Sequence, residues 1–206
     1  MKRLIKILSA AIIACIMAVT FAACGGGGDD AIDNNPETPV TGESKILVAY
    51  FSWSGNTQTL ANMVAEKSGG ELFRIVPEIA YTNDDVFDRA QNELNNGTRP
   101  PLSEHIDEEV MAEYDVIFVG FPIWWYDLPM PVWTFLEEYD LSGKTIIPFF
   151  SHNGSSSGAS SISTVKRLCP DSTVENNYLS IRGSSVSGAE SQVENWINNL
   201  GIKTEE

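Results

Sequence analysis

Three long apolar segments dominate the chain after residue 44. They are Lys45–Phe51, Tyr114–Phe121 and Thr145–Phe150. Continuous apolar runs of this length are typical of strands that are buried on both faces of a parallel sheet. Two less apolar segments, Glu71–Val76 and Thr173–Ile181, predict further strands. Pro148 is unusual inside the third apolar run, because proline cannot donate a hydrogen bond to a neighbouring strand.

Helical periodicity separates these strands. It predicts helices over Asn56–Ser68, Asp84–Leu94, Pro131–Tyr139 and Ser161–Leu168, and a C-terminal helix whose apolar stripe runs from Ala189 to Leu200. In the second helix, Phe87, Ala90 and Leu94 are expected to share one apolar face. Strands that alternate with helices predict a parallel sheet with helices on both faces, in which ligands bind beyond the carboxyl ends of the strands. The loops that follow the three apolar strands are therefore the expected location of a functional site.

The N-terminus has a different pattern. Three cations among the first six residues precede an uncharged apolar run over residues 7–23. A basic start, an apolar stretch and small residues before a cleavage point are typical of a secretory signal. The run ends in Phe21-Ala22-Ala23-Cys24, which resembles a bacterial lipobox. This predicts a lipoprotein signal peptide over residues 1–23 and a lipid on Cys24 that anchors the protein to the cell membrane.

Two alternatives to lipidation remain open. One is an uncleaved transmembrane anchor, since residues 7–28 carry no charge, and the other is an ordinary signal peptide. Residues 24–44 are polar, contain proline and lack periodicity, which predicts a flexible linker after the lipidated cysteine. The folded domain is expected to cover residues 45–202, with a short tail at 203–206, and its expected location is extracytoplasmic.

The composition narrows the choice of partners. The 206 residues include 28 acidic and 13 basic side chains, for a net charge of −15, and loss of the basic leader leaves a still more negative chain. Such a charge repels a phosphate backbone, so nucleic acid is excluded as the main partner. Beyond the leader and the lipobox only Cys169 remains, which rules out an internal disulfide and favours a buried thiol over a redox role.

The loop after the first strand reads Ser52-Trp53-Ser54-Gly55-Asn56-Thr57 and runs directly into a helix. A helix N-terminus presents unpaired backbone N–H groups and partial positive charge, and hydroxyl and amide side chains add neutral donors. Because the loop contains no Lys or Arg, a phosphate group would be held by hydrogen bonds and the helix dipole rather than by a salt bridge. The alternative is ordinary N-capping of the helix by serine or asparagine.

This loop matches the phosphate-binding signature of the flavodoxin family, Ser/Thr-x-Ser/Thr-Gly-Asn-Ser/Thr, and the chain from Lys45 to Ile202 resembles that family. The resemblance extends to the loops Pro122–Pro131 and Ser151–Gly158. It implies a flavodoxin-like α/β fold: a three-layer α/β/α sandwich with a five-stranded parallel sheet of strand order 2-1-3-4-5. It also implies FMN as the cofactor, with the flavin rather than protein side chains carrying the reaction.

The resemblance assigns a role to each of the three loops. Phosphate binding falls to Ser52, Ser54, Gly55, Asn56 and Thr57, with Trp53 as an extra aromatic residue in the same loop. The flavin ring would be bordered by Pro122, Ile123, Trp124, Trp125 and Tyr126, and at least one of these aromatic side chains is expected to be exposed. The polar edge of the ring would contact Ser151, His152, Asn153 and Gly154. His152 is expected to be either a solvent-facing loop residue or a proton donor near the ring.

Three functions are compatible with these features. The first is an FMN-binding electron-transfer protein on the outer face of the cytoplasmic membrane, with a redox protein, a membrane quinone or another small acceptor as its partner. The second is an FMN-dependent oxidoreductase of the NAD(P)H or quinone type. The third is a non-redox surface binding protein with a degenerate flavodoxin fold. Gly154–Gly158 fits the G-x-S-x-G motif of serine hydrolases, but in those enzymes the catalytic histidine follows the serine. Both histidines here precede Ser156, so a serine hydrolase is excluded. The sequence also contains no His/Cys cluster that would predict a metal site.

Overall fold

The computed structural model describes residues 44–154 and 156–202. The predicted leader, Cys24, the linker up to residue 43 and the tail lie outside the described residues. Within the described part of the chain, no helix is long and apolar enough to cross a membrane. No group of His, Cys, Asp and Glu side chains that could hold a metal ion occurs among the same residues.

Strands and helices alternate along the described chain. The strands are β1 (Ile46–Tyr50), β2 (Glu71–Arg74), β3 (Val116–Pro122), β4 (Thr145–His152), β5 (Thr173–Val174) and β6 (Leu179–Arg182). The helices are α1 (Asn56–Ser68), α2 (Val86–Asn96), α3 (Glu108–Ala112), α4 (Met130–Glu138), α5 (Ala159–Leu168) and α6 (Glu190–Asn199), with a 3-10 helix over Gly183–Gly188. The sequence pattern predicts neither α3 nor the 3-10 helix, because each is too short to develop a clear helical period.

The sheet is parallel and has the strand order β2-β1-β3-β4-β5, with β6 also paired to β4. The predicted fold class and strand order are therefore confirmed. The prediction of one continuous fifth strand over Thr173–Ile181 is wrong. Two short strands replace it: β5 pairs with the start of β4, and β6 pairs with its end.

This interruption explains why Pro148 is tolerated inside β4. Ile146 accepts a hydrogen bond from the backbone N–H of Glu175, so its peptide groups face the side of β5 and β6. Pro148, two residues further on, faces the same side because the strand repeats every two residues. No residue of β5 or β6 pairs with it, since the β5 pairing ends at Ile146 and the β6 pairing begins at Phe149. The missing N–H of proline therefore falls in the gap between the two short strands.

Successive residues of the central strands point into two separate apolar cores. In β1, Leu47 and Ala49 join one core, and Ile46, Val48 and Tyr50 join the other. The first core is covered by α2, α3, α4 and α5, and the second by α1 and α6. Burial on both faces is the physical reason why the central strands are continuously apolar.

The predicted buried face of α2 is partly wrong. Ala90 is buried as expected, but Val86 and Glu93 accompany it, and Phe87 is 66% exposed. The carboxylate of Glu93 is compensated in this position, because it accepts hydrogen bonds from the hydroxyl of Tyr81 and from Nε of Arg89, the latter at 2.8 Å. Hydrophobic periodicity alone cannot identify a buried glutamate, so the pattern places Phe87 on the buried face of α2 instead.

Candidate functional site

A cavity of about 320 Å³ lies where the loops after β1, β3 and β4 meet. Ten of the fifteen residues proposed from the sequence as cofactor contacts line it: Trp53, Ser54, Asn56, Pro122, Ile123, Trp124, Trp125, Ser151, His152 and Asn153. The other five, which are not among the lining residues, are Ser52, Gly55, Thr57, Tyr126 and Gly154. Three lining residues have no counterpart in the sequence prediction: Val86, Phe87 and Gly183. The parallel sheet thus brings the three predicted loops together at one edge.

The first loop forms a turn that leaves the N-terminus of α1 open. The hydroxyl of Ser52 accepts a hydrogen bond from the backbone N–H of Gly55 at 3.2 Å, and Gly55 has φ 93°, a conformation that favours glycine. The carbonyl of Gly55 accepts the first helical hydrogen bond, from the N–H of Thr59. Among the residues that the structure describes, no side chain caps the N-terminus of α1. The N-capping interpretation therefore fails, and the first backbone N–H groups of α1 lie without helical partners next to the cavity.

One side-chain hydrogen bond joins the first loop to the end of β4. Thr57 is 1% exposed and its Oγ1 lies 3.0 Å from Oγ of Ser151, which is 4% exposed. The Thr57 hydroxyl is thus engaged inside the protein, and the loop positions Ser54 and Asn56 toward the cavity instead. This bond fixes the start of α1 relative to the end of β4, two segments that are far apart in sequence.

Two arginines donate hydrogen bonds to backbone carbonyls of the first and third loops. Nη2 of Arg74, at the end of β2, donates to the carbonyl of Ser52 at 3.4 Å. Nη2 of Arg182, at the end of β6, donates to the carbonyl of Asn153 at 3.2 Å. The sequence motif contains no cation, and these two side chains come close to it only because the fold places β2 and β6 on either side of the central strands. Neither lines the cavity.

Four aromatic side chains form a closed ring at the cavity, and we call Trp53, Phe87, Trp124 and Trp125 the aromatic quartet. Their centroids are 6.5 Å apart for Trp53–Phe87, 6.4 Å for Phe87–Trp125, and 6.3 Å for both remaining neighbouring pairs. Each neighbouring pair is arranged edge to face, a favourable geometry for aromatic rings. Trp124 also makes edge-to-face contacts with Phe51 and Tyr81, each at a centroid distance of 5.3 Å.

The loop after β3 contains a strained tight turn. The backbones of Trp124 and Asp127 exchange two hydrogen bonds of 2.9 Å, and the two residues between them have positive φ, 46° for Trp125 and 67° for Tyr126. Such turns normally contain asparagine and glycine, so large aromatic residues there are energetically unfavourable. Asp127 holds the turn in place, because its Oδ2 accepts a hydrogen bond from Thr164 of α5 at 2.9 Å. Tyr126 is the exposed member of the aromatic run, at 62%.

His152 lines the cavity in its neutral form. Nδ1 accepts a hydrogen bond of 2.8 Å from the backbone N–H of Gly154, so the ring proton is on Nε2. Burial lowers the pKa of His152 below 6.5, and the positive charge of Arg182 lowers it further. His105 lies outside the site, where Nδ1 is 2.5 Å from Oε1 of Glu138, and that hydrogen bond raises its pKa.

The two histidines of the chain should therefore titrate on opposite sides of pH 6.5. In a proton NMR titration we expect the ring signals of His105 to shift at a pH above 6.5 and those of His152 at a pH below 6.5. A His152→Gln variant identifies the signals by loss of the low-pH transition. Two transitions that coincide at pH 6.5 would contradict the hydrogen-bond arrangement of both residues.

Cys169 takes no part in the site. Its side chain is 4% exposed, and burial raises the pKa of the thiol to about 11. A thiol with a raised pKa and little access to solvent is a poor nucleophile. This agrees with the prediction of a buried structural cysteine.

The chain matches one family model and is similar to several solved structures. The family model described as Flavodoxin matches residues 45–200. A structure from Bacteroides eggerthii, provisionally called a flavoprotein, is 32% identical, with a TM-score of 0.66, and the match covers 78% of this chain and 99% of that one. The flavoprotein of Lactobacillus acidophilus in complex with FMN is 23% identical, with a TM-score of 0.54 and coverage of 72% and 99%, and it supports the fold.

A curated relative is similar over a shorter region. The NAD(P)H dehydrogenase (quinone) of Chromohalobacter salexigens is 36% identical over 85 residues. The match covers 38% of this chain and spans only 39% of the length of that relative.

Proposed function

This chain belongs to the flavodoxin family, and on that premise we propose that it binds FMN in the cavity beyond β1, β3 and β4 and transfers electrons. The observation that carries the proposal is the uncapped N-terminus of α1, which opens beside a cavity with aromatic walls. A helix N-terminus favours a phosphate group, and aromatic side chains favour a flat ring. The two features lie at one site, as a ligand with both groups requires.

The chemistry of the cavity lining suits both parts of FMN. Backbone N–H groups at the start of α1, with the side chains of Ser54 and Asn56, would hold the phosphate. Trp124 and Trp125 would border the ring, and the Nε2–H of His152 would offer a hydrogen bond to its polar edge. When bound, FMN supplies reversible uptake and release of electrons. The protein's contribution is to bind the ring, exclude water from part of it and present the remainder to a partner.

The proposal extends to the membrane. Cys24 and the leader before it favour a lipid-anchored protein on the outer face of the cytoplasmic membrane, where a redox protein, a membrane quinone or another small acceptor would be its partner. Metabolic labelling with a radioactive fatty acid tests this part. We expect the label in the full chain and not in a Cys24→Ala variant, and label that persists in the variant would contradict lipidation at this residue.

A second candidate is an FMN-dependent oxidoreductase that reduces a small substrate. Phe87 lines the cavity and is 66% exposed, so an apolar side chain at the mouth of the cavity is accessible to a small substrate. The similarity to an NAD(P)H dehydrogenase (quinone) agrees with this candidate over 85 residues. Turnover of NADH or NADPH with a quinone by the purified protein would distinguish an enzyme from an electron carrier.

The flavin content of the purified protein tests the main proposal. We expect visible flavin absorption, or its appearance after incubation with FMN, with about one FMN released per chain on denaturation. A colourless protein that takes up no FMN in equilibrium dialysis would contradict the proposal and would favour the non-redox binding protein.

A further inference from the structure

A buried tyrosine contacts the aromatic wall of the cavity. The ring of Tyr81 meets Trp124, a lining residue, edge to face at a centroid distance of 5.3 Å. Among the described aromatic contacts of the quartet, Tyr81 is the only tyrosine. Its side chain is 8% exposed, so its hydroxyl depends on a protein partner rather than on water. The proposed binding of FMN gives this hydroxyl no role.

The hydroxyl of Tyr81 donates its hydrogen bond to a buried carboxylate. Oε2 of Glu93 accepts this bond, and Oε1 accepts another from Nε of Arg89 at 2.8 Å. Glu93 is itself 8% exposed. Burial raises the pKa of Tyr81, and the hydrogen bond to the carboxylate raises it further. The phenol is therefore protonated at rest, with a basic oxygen already in contact with its proton.

The charge of Arg89 restricts how Tyr81 can be oxidised. The guanidinium carbon lies over the face of the phenol ring, 4.2 Å from its centroid. A cation at this position repels positive charge on the ring, so a phenol radical cation is disfavoured. Loss of an electron must then be accompanied by transfer of the hydroxyl proton to Glu93, which leaves an uncharged radical. The three side chains therefore favour the coupled removal of one electron and one proton from Tyr81.

We propose that Trp124, Tyr81 and Glu93 form a relay that carries single oxidising equivalents away from the wall of the cavity. An oxidant of the oxygen-derived radical class removes one electron from the Trp124 ring. Tyr81 returns one electron to that ring across their contact, and its hydroxyl proton passes to Oε2 of Glu93. The products are an intact tryptophan, a neutral tyrosyl radical and a neutral glutamic acid. One electron from a small reductant, with return of the proton, restores the resting state. This protective activity is additional to the proposed electron transfer and does not require a bound flavin.

Pulse radiolysis of the purified protein in azide solution tests the proposal, because azide radicals oxidise tryptophan in preference to tyrosine. We expect the absorption of the tryptophan radical to decay at a rate independent of protein concentration while that of the tyrosyl radical appears. Tyr81→Phe keeps the ring beside Trp124 and removes the hydroxyl, so most of the tyrosyl signal should be lost and the tryptophan radical should persist. A tyrosyl signal of unchanged size in this variant would overturn the proposal.

Two tyrosines serve as matched controls, because each shares one feature with Tyr81 and lacks another. Tyr114 donates to the carboxylate of Glu71 at 2.7 Å, but no aromatic contact among the described residues joins it to a tryptophan. Tyr126 follows Trp125 in the chain, but it is 62% exposed, so its hydroxyl is accessible to water. Tyr114→Phe and Tyr126→Phe should each leave the transfer rate unchanged. A loss in either variant as large as in Tyr81→Phe would contradict the assignment to Tyr81.

The acceptor of the proton is tested by varying the buffer concentration. Because the proton passes to Glu93 inside the protein, the transfer rate of the unchanged protein should not depend on buffer. Glu93→Gln has nearly the same shape but cannot take up the proton, so its transfer should be slower and should depend on buffer. Buffer dependence in the unchanged protein, or an unaltered rate in Glu93→Gln, would contradict the role of Glu93. The buffer test uses the unchanged protein, so it decides the question even if Glu93→Gln does not fold. Flavin content is measured separately, and its absence would contradict only the proposed function.

Discussion

A Ser54→Asp variant should bind FMN about 100- to 1,000-fold more weakly than the unchanged protein. Ser54 lines the cavity beside the open N-terminus of α1, where the phosphate of FMN is expected. Two unit charges about 4 Å apart near a protein surface repel each other by about 4 kcal/mol, and no cation lines the described part of the cavity to offset a new carboxylate. Titration of the apoprotein with FMN, followed by quenching of flavin fluorescence, measures the change.

The matched control is Ser54→Asn, which has nearly the same shape as aspartate but no charge. We expect this variant to lose less than about tenfold in affinity, because only one neutral hydrogen bond changes. Riboflavin, which lacks the phosphate, should bind both variants almost equally. If Ser54→Asp weakened riboflavin and FMN to the same extent, the phosphate would lie elsewhere and the assignment of the first loop would be wrong.

The sequence predicts best the parts of this site that are local in the chain. The strands β1, β3 and β4 are buried on both faces, so their continuous apolar runs are distinctive, and each is followed by a loop that reaches the same edge of the sheet. The bounds of α1 are also predicted correctly, because the glycine turns at its two ends are recognisable: Gly55 precedes it and Gly69 ends it.

The parts that depend on contacts between distant segments could not be predicted. Phe87 has the apolar character of a core residue, but Glu93 takes a place on the buried face of α2, where Tyr81 and Arg89 hydrogen-bond its carboxylate. Arg74 and Arg182 belong to strands that flank the central ones, so no motif places them near Ser52 and Asn153. The sequence indicates only that both arginines lie near the carboxyl ends of predicted strands, which meet at one edge of a parallel sheet.

The turn after β3 is a different case, because its local sequence contradicts its conformation. Trp125 and Tyr126 occupy positions where positive φ favours asparagine or glycine. The structure maintains the turn through the backbone pairing of Trp124 with Asp127 and the hydrogen bond from Thr164. Strain that is held in place by several contacts is typical of functional sites. With this backbone conformation, Trp125 lies in the wall of the cavity and Tyr126 is exposed.

A Gly120→Ala variant should lose about 3 kcal/mol of stability, because β3 has no room for a side chain at this position. A Cβ atom on Gly120 would lie 2.5 Å from Cε2 and 2.9 Å from Cε1 of Phe149, and closer still to Cζ. Gly120 is paired with Phe149 of β4, whose ring is fully buried and cannot move aside without disturbing the core beneath α1 and α6. Overpacking of this kind typically costs about 1–3 kcal/mol, and the rigid surroundings place this site at the upper end.

Urea unfolding followed by circular dichroism measures the loss, and two further variants identify its cause. Gly188→Ala adds the same methyl group where, apart from the adjoining backbone, no described atom lies within 4 Å, so its midpoint should stay within experimental error of the unchanged protein. Gly120→Ala combined with Phe149→Leu removes the clashing ring atoms, and the pair should be less destabilised than the sum of the two single changes. Strict additivity would mean that the Gly120 methyl does not clash with Phe149. Trp124 and Trp125 lie in the loop after β3, and His152 is the last residue of β4, so strain between these two strands should also weaken FMN binding. Partial recovery of both properties in the double variant would link the packing of the sheet to the geometry of the cavity.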